Sequence, residues 1–270
     1  MWEPGLTKWV GWAYWGAMGA AVGSFLNVCI YRIPRGESIV FPRSRCPHCA
    51  HPIPWYYNIP VLSWLWLRGR CAFCRGPISI RYFVVELWTA LTYIGLFERW
   101  GWSPTFFILA VFLSLCIALF FIDLEWQILP NGMTIPGATV GLLTMGPNAL
   151  VTWESSLLGF GLGVTIPLGL IGLYWLVRQE EGMGLGDVKL LAMIGAFLGA
   201  GRLLMVLMIA SVAGVLGGLV LWRLQRTTPL GRVAVPFGTF LCGAAWLVVF
   251  WGDAAYEAYE RWLVRWYGGL

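Results

Sequence analysis

Charge is what this chain lacks most. Only 11% of its 270 residues are Asp, Glu, Lys or Arg, while 59% are hydrophobic, and the mean hydropathy is +0.73. A soluble domain carries roughly 25% charged residues, so too few are present to cover a water-facing surface. Disorder is excluded on the same figures, because disordered chains are poor in aromatics and 16% of this one is Phe, Trp or Tyr. Histidine is nearly absent: His48 and His51 are the only two.

Long apolar runs are what the chain has instead. A spanning helix needs about 20 predominantly apolar residues, since the hydrocarbon core is roughly 30 Å thick and each residue rises about 1.5 Å. Uncharged runs at 9–31, 104–122, 126–153, 155–177, 203–222 and 233–252 meet that length. Two further segments carry charge, 82–97 with Glu86 and 182–201 with Asp187 and Lys189. The expectation is an all-α polytopic membrane protein of about eight transmembrane helices. No strongly basic stretch precedes the first apolar segment and it is long, so it reads as a retained membrane helix and not as a cleaved signal.

The basic residues orient these helices. With the N-terminus outside, 13 of the 18 Lys and Arg residues fall on cytoplasmic connections and 5 outside. Excess Lys and Arg on cytoplasmic loops favours that arrangement. The net charge of +5 is therefore a topology signal, and no nucleic-acid partner is inferred from it. The expected organisation is a first transmembrane helix (1–33), a cytoplasmic four-Cys insert (34–81), a seven-helix core (82–252) and an amphipathic tail (253–270). The tail mixes Tyr256, Tyr259, Trp262 and Trp266 with Glu257, Glu260, Arg261 and Arg265, a pattern suited to the membrane interface.

The insert between helices 1 and 2 holds Cys46-Pro-His-Cys49 and Cys71-Ala-Phe-Cys74. Two C-x-x-C turns at this spacing can place four thiolates around one Zn²⁺, and a four-Cys site leaves no ligand position open, so the metal is structural. A cytoplasmic insert also sits where thiols stay reduced. The competing reading is a redox C-x-x-C, which normally occurs once, at the start of a helix. His48 and His51 offer an alternative ligand or are exposed loop residues. Cys29, Cys116 and Cys242 lie in apolar runs and read as packing residues.

Carboxylates near a bilayer centre cost at least roughly 2.5–3.5 kcal/mol on insertion scales, so each needs a reason. Asp123 ends the third span and Asp187 opens the sixth, in Gly184-Leu-Gly186-Asp187. In the N-out arrangement both face the cytoplasm and can meet. Two adjacent carboxyls share one proton, which suits the activation of water against a peptide carbonyl. The bland reading is a pair of interfacial caps. It suits Asp187 in a first turn and suits Asp123 poorly, since the dipole at a helix C-terminus repels negative charge. Both readings stand on composition and spacing alone. Glu86 reads as a packing residue or a charge at the lip of a span. Glu125, Glu180 and Glu181 read as solvated, or as an acidic rim for a basic ligand. Gly159-Phe-Gly161-Leu-Gly163 superficially resembles a glycine-rich loop, but within an apolar span it signals close helix packing.

Taken in order, these segments resemble the prepilin peptidases of type IV pilus and type II secretion systems. The resemblance rests on Gly23-Ser-Phe-Leu-Asn-Val-Cys-Ile-Tyr-Arg-Ile-Pro34, the paired C-x-x-C insert, Arg81-Tyr-Phe-Val-Val-Glu86, Asp123, Gly184-Leu-Gly186-Asp187 and Pro236-Phe-Gly-Thr-Phe-Leu241. It implies an aspartic endopeptidase with Asp123 and Asp187 as catalytic residues, in a bacterial inner membrane, with its site facing the cytoplasm. Its substrates would be prepilins and pseudopilins, cut after a glycine that precedes their hydrophobic segment. Relatives with the cysteine insert also methylate the new N-terminus with S-adenosylmethionine. No methyltransferase pattern is visible in this sequence, so that activity and its cofactor rest on the resemblance alone. Rival readings are a peptidase without methyl transfer, a transporter lined by Asp123, Asp187 and Glu86, and a zinc-bearing scaffold.

Overall fold

A computed structural model describes residues 6–179, 184–225 and 235–267. Among these residues the chain is helical, with α1 Leu6–Arg32, α2 Leu62–Trp66, α3 Ile80–Trp100, α4 Pro104–Trp126, α5 Asn131–Leu143, α6 Trp153–Arg178, α7 Leu185–Gln225 and α8 Phe237–Tyr267. Six of them, α1, α3, α4, α6, α7 and α8, are long and apolar enough to cross a membrane. The chain divides into two compact units, Met1–Ala118 and Leu119–Leu270.

In the first unit α1 packs along α3. Lys8 Nζ meets Glu98 Oε1 at 2.5 Å and Trp12 Nε1 donates to Glu98 Oε2 at 2.8 Å, which joins the start of α1 to the end of α3. Trp15 anchors the same end, with its ring 4.3 Å from Phe106 and 5.0 Å from Trp102. Such aromatic clusters bury large apolar areas in tilted and edge-to-face geometries. The insert leaves from the far end of α1 and returns at the start of α3, where Ser79 caps α3 by accepting from the Arg81 N–H.

In the second unit α6 and α7 meet at glycines. A Cβ on Gly159 would run into the Gly195 carbonyl, and one on Gly163 into the Leu191 carbonyl, whereas Gly161 faces open space. Only hydrogen at these contacts lets the two backbones approach, the small-residue packing that membrane helices favour. Gly159 and Gly163 thus lie within a helix and form no ligand loop, as their apolar setting implied.

The helices differ from the expected spans in two places. The 126–153 run yields only the 13-residue α5, which begins after Pro130 and contains Pro136. The 182–201 and 203–222 runs are joined in α7, whose 41 residues are broken at Gly199, with φ 78° and ψ 174°. The break leaves backbone groups without helical partners, and neighbouring side chains replace those partners, as lipid requires. Asn148 Nδ2 donates to the Phe197 carbonyl (3.0 Å), Ser156 Oγ donates to that of Ala196 (2.7 Å), and the Ala200 N–H donates to Ser155 Oγ (3.2 Å). Just beyond, Arg202 reaches both the Leu150 carbonyl and Asp253 Oδ1. In the stretch expected as an amphipathic tail, α8 continues as far as Tyr267, and Tyr259, Trp262 and Trp266 stack along it.

Candidate active site and metal centre

Asp123 lies in the last turn of α4, where Gln127, at φ 52°, donates its N–H to the Asp123 carbonyl. A carboxylate here faces the negative end of the α4 dipole. What holds it is the opposite end of another helix. Asp123 Oδ2 accepts from the Thr239 N–H at 2.7 Å and from the Thr239 hydroxyl at 3.1 Å. Thr239 is the third residue of α8, so its N–H is among those that no helical carbonyl can reach. Asp123 is 5% exposed.

Asp187 occupies the first turn of α7, its N–H bonded to the Gly184 carbonyl at 3.1 Å. It is half-buried and lies within electrostatic reach of Asp123. Leu129 sits between the two helix starts: a Cβ on Gly186 would come 3.1 Å from it, and one on Gly238 would come 3.0 Å from Leu129 and 3.1 Å from the Asp123 carboxyl. The start of α5 is tied to α7 by Lys189 Nζ donating to Asn131 Oδ1 at 2.6 Å. The two aspartates come together at the starts of α7 and α8. Glu125 is exposed, and Glu180 and Glu181 lie outside the described residues. Thr239 and Gly238 stood in a quoted sequence segment without a role. The signal that could have found them is a hydroxyl residue in the first turn of a span, with a glycine before it.

In the insert, Cys46, Cys49, Cys71 and Cys74 present their sulfurs within 4.8 Å of one another. Four sulfurs tetrahedrally placed at about 2.3 Å from an ion would stand about 3.8 Å apart, and Cys46 and Cys74 are 3.8 Å apart. The two turns repeat one pattern. Cys46 N bonds His51 O and Ala50 N bonds Cys46 O; Cys71 N bonds Gly76 O and Arg75 N bonds Cys71 O. Each turn is closed by an isolated bridge, Arg45 with Pro52 and Arg70 with Pro77. Ala50 and Arg75 both take positive φ, 55° and 58°. The turns also exchange equivalent residues: His48 packs on Gly76 and reaches the Pro77 carbonyl at 3.2 Å, and Phe73 packs on His51 at 3.7 Å. Both histidines are exposed and clasp the opposite turn, outside the sulfur cluster.

The N–H groups of Cys74 and Phe73 draw the Cys71 thiol down to about 6. Cys74 stands at about 11: the Gly76 N–H pulls it down, and desolvation and the other three thiols outweigh that pull. A cluster of four sulfurs in which backbone N–H groups favour the Cys71 thiolate suits a soft divalent cation, whose ligands must be deprotonated. Cys29, Cys116 and Cys242 are buried elsewhere, as packing residues would be.

These features define a class: a multi-pass membrane protein with a carboxylate pair at the starts of two helices and a four-thiol insert. Residues 17–100 match the Bacterial Peptidase A24 N-terminal domain and residues 110–219 match the Type IV leader peptidase family. The chain is 38% identical to a prepilin leader peptidase/N-methyltransferase of Aeromonas hydrophila, over 91% of this chain and 90% of that protein. A relative of the same name from Stutzerimonas stutzeri is 34% identical over 90% of this chain and 91% of its own. One from Myxococcus xanthus is 45% identical over 78% of this chain, a match that spans 64% of that protein. No solved structure matches. The chain belongs to the prepilin leader peptidase/N-methyltransferase family.

Proposed function

We propose that this chain removes the leader from prepilins and pseudopilins at Asp123 and Asp187 and then methylates the exposed amine. The observation that carries the peptidase reading is the placement of Asp123, a buried carboxylate held by Thr239 with Asp187 in electrostatic reach. Capping accounts for the Thr239 bonds, which satisfy the start of α8, but gives no reason for a second carboxyl, Asp187, within electrostatic reach.

The pair shares one proton. The ionised carboxylate takes a proton from a water while the protonated one donates to the scissile carbonyl, and the water oxygen adds to the carbonyl carbon. The C–N bond then breaks as the carboxyl pair returns a proton to the departing amine. Donors at the starts of α7 and α8 keep the site polar where the bilayer would otherwise penalise charge. A prepilin is itself an apolar helix with a basic cytoplasmic leader, so its scissile bond arrives at the interface. The N-out arrangement places the site at the cytoplasmic face of the bacterial inner membrane.

The four thiols would hold a structural Zn²⁺ that fixes the fold of the insert and leaves no open position for chemistry. S-adenosylmethionine, when bound, would supply an electrophilic methyl group to the exposed amine.

The test is cleavage of a full-length prepilin in detergent, with N-terminal sequencing of the product. Wild type cuts after the leader glycine. Asp123→Asn and Asp187→Asn each reduce kcat by about 10²–10⁴-fold, the range for losing an acid–base group. Cleavage that survives either substitution removes that residue from the mechanism.

A further inference from the structure

Within the first unit, a cavity of about 460 Å³ opens between the end of α1, the insert and the start of α3. That volume is in the range of small-molecule and cofactor sites. Its wall is unusual for a bilayer protein because it holds a buried carboxyl and a buried guanidinium. Glu86, 7% exposed, accepts from the Val61 N–H at 2.7 Å. Arg32, 8% exposed, donates to the carbonyls of Ser38 and Pro42. Asn27, 1% exposed, uses its Nδ2 on the Tyr82 carbonyl, and its Oδ1 is buried with no partner. Buried polar atoms are nearly always paired, so this oxygen marks a place where a donor is expected. Tyr31, Tyr57, Trp64 and Tyr82 supply flat apolar surface around these groups.

The geometry points to this cavity as the site that holds S-adenosylmethionine, with Glu86 turned to its sulfonium and ammonium groups and Arg32 to its carboxylate. The inference rests on the methyl-transfer reading above and supplies the residues that the sequence did not reveal. The ligand chemistry follows from the wall. A compound with a carboxylate, two cationic centres and a flat heterocycle matches one buried cation, one buried anion with an unpaired carbonyl oxygen beside the same helix pair, and aromatic faces. A basic leader peptide would meet four arginines, Arg32, Arg35, Arg45 and Arg81, against two glutamates, Glu37 and Glu86. The shape also explains the position of the four-Cys turns: Cys46 and Cys71 lie on the cavity wall, so a metal that fixes those turns would fix one side of the site.

The experiment uses the purified full chain in detergent. Equilibrium binding of radiolabelled S-adenosylmethionine is measured for wild type, Glu86→Gln and Asn27→Leu. The amide that replaces the Glu86 carboxylate retains an oxygen for the Val61 N–H, and unchanged helical circular dichroism and elution volume establish folding. Ultraviolet crosslinking of the same ligand to wild type, followed by peptide mapping, locates the site without any substitution. The expected results are a loss of affinity of about tenfold or more in Glu86→Gln, the scale of a hydrogen bond to a charged group, and a crosslink within residues 24–86. Equal affinity in both folded variants, or a crosslink within residues 119–270, overturns the site while leaving methyl transfer intact. If wild type cleaves prepilin but neither binds the ligand nor methylates the product, the methyl-transfer reading fails and the site fails with it. If Glu86→Gln binds normally but the KM for prepilin rises, the cavity holds the leader peptide instead.

Discussion

At Asp123 a single threonine supplies two donors to one oxygen, and that residue lies 116 positions away in the chain. The hydroxyl also contacts the Phe120 carbonyl at 3.3 Å, one turn before Asp123, so Thr239 fixes the carboxylate against the helix that bears it. Thr239→Val removes the hydroxyl and keeps the N–H. The expected result is a fall in kcat of about 10–100-fold, since hydrogen bonds to charged groups contribute about 1.5–3 kcal/mol, with the prepilin KM unchanged. Thr239→Ser restores the hydroxyl and should recover most of the rate. A rise in KM with kcat intact, or failure of Ser to rescue, would show that the residue only packs. Asp123 and Asp187 were legible in sequence because a carboxylate at the end of an apolar run is costly. Thr239 was not, because a hydroxyl residue in an apolar segment costs little and announces no partner.

Among the elements, the α6–α7 contact gives a contrast between glycines that do and do not meet a neighbour. Gly195→Ala places a methyl group against the Gly159 carbonyl, while Gly161→Ala places one in open space. Overpacking of this kind costs about 1–3 kcal/mol, whereas an exposed helical Gly→Ala is neutral or favourable by up to about 1 kcal/mol. Thermal unfolding in detergent should therefore show a lower Tm for Gly195→Ala and an unchanged or higher one for Gly161→Ala. The insert behaves differently, because the sulfur cluster and the His48 and Phe73 contacts join its two turns. Cys46→Ser should lower bound zinc from about one equivalent to near zero, measured by atomic emission, and expose the 34–80 segment to limited proteolysis. Zinc well below one equivalent in wild type with intact thiols would end the metal assignment. The C-x-x-C spacing made this centre legible. The exchange of His48 and Phe73 between turns was hidden, since it depends on how two copies of one turn face each other.

For the molecule as a whole, the apolar runs implied about eight crossings but not the helices that make them. Counting long helices among the described residues gives six, yet the placement of the two carboxylates implies more. Asp123 ends α4 and Asp187 begins α7, and the two lie within electrostatic reach of each other. Between them the chain must cross an even number of times. Helix α6 crosses once, so the segment holding α5 must cross too, although its 13 residues rise only about 20 Å at 1.5 Å per residue. The same reasoning applies from α7 to α8, because Thr239 at the start of α8 also meets Asp123. The 41 residues of α7, about 60 Å of helix, must therefore make two crossings, one on each side of Gly199. Eight crossings result, as the sequence implied. The short α5 and the broken α7 were illegible because hydropathy reports apolarity and not where a helix ends. Phosphatase reporters, active only outside the cytoplasm, test the count. Fusions after residues 101 and 148 should be active, and fusions after residues 79 and 128 inactive. Inactivity after residue 148 would leave Asp123 and Asp187 on opposite faces of the membrane, and a shared-proton mechanism could not survive that result.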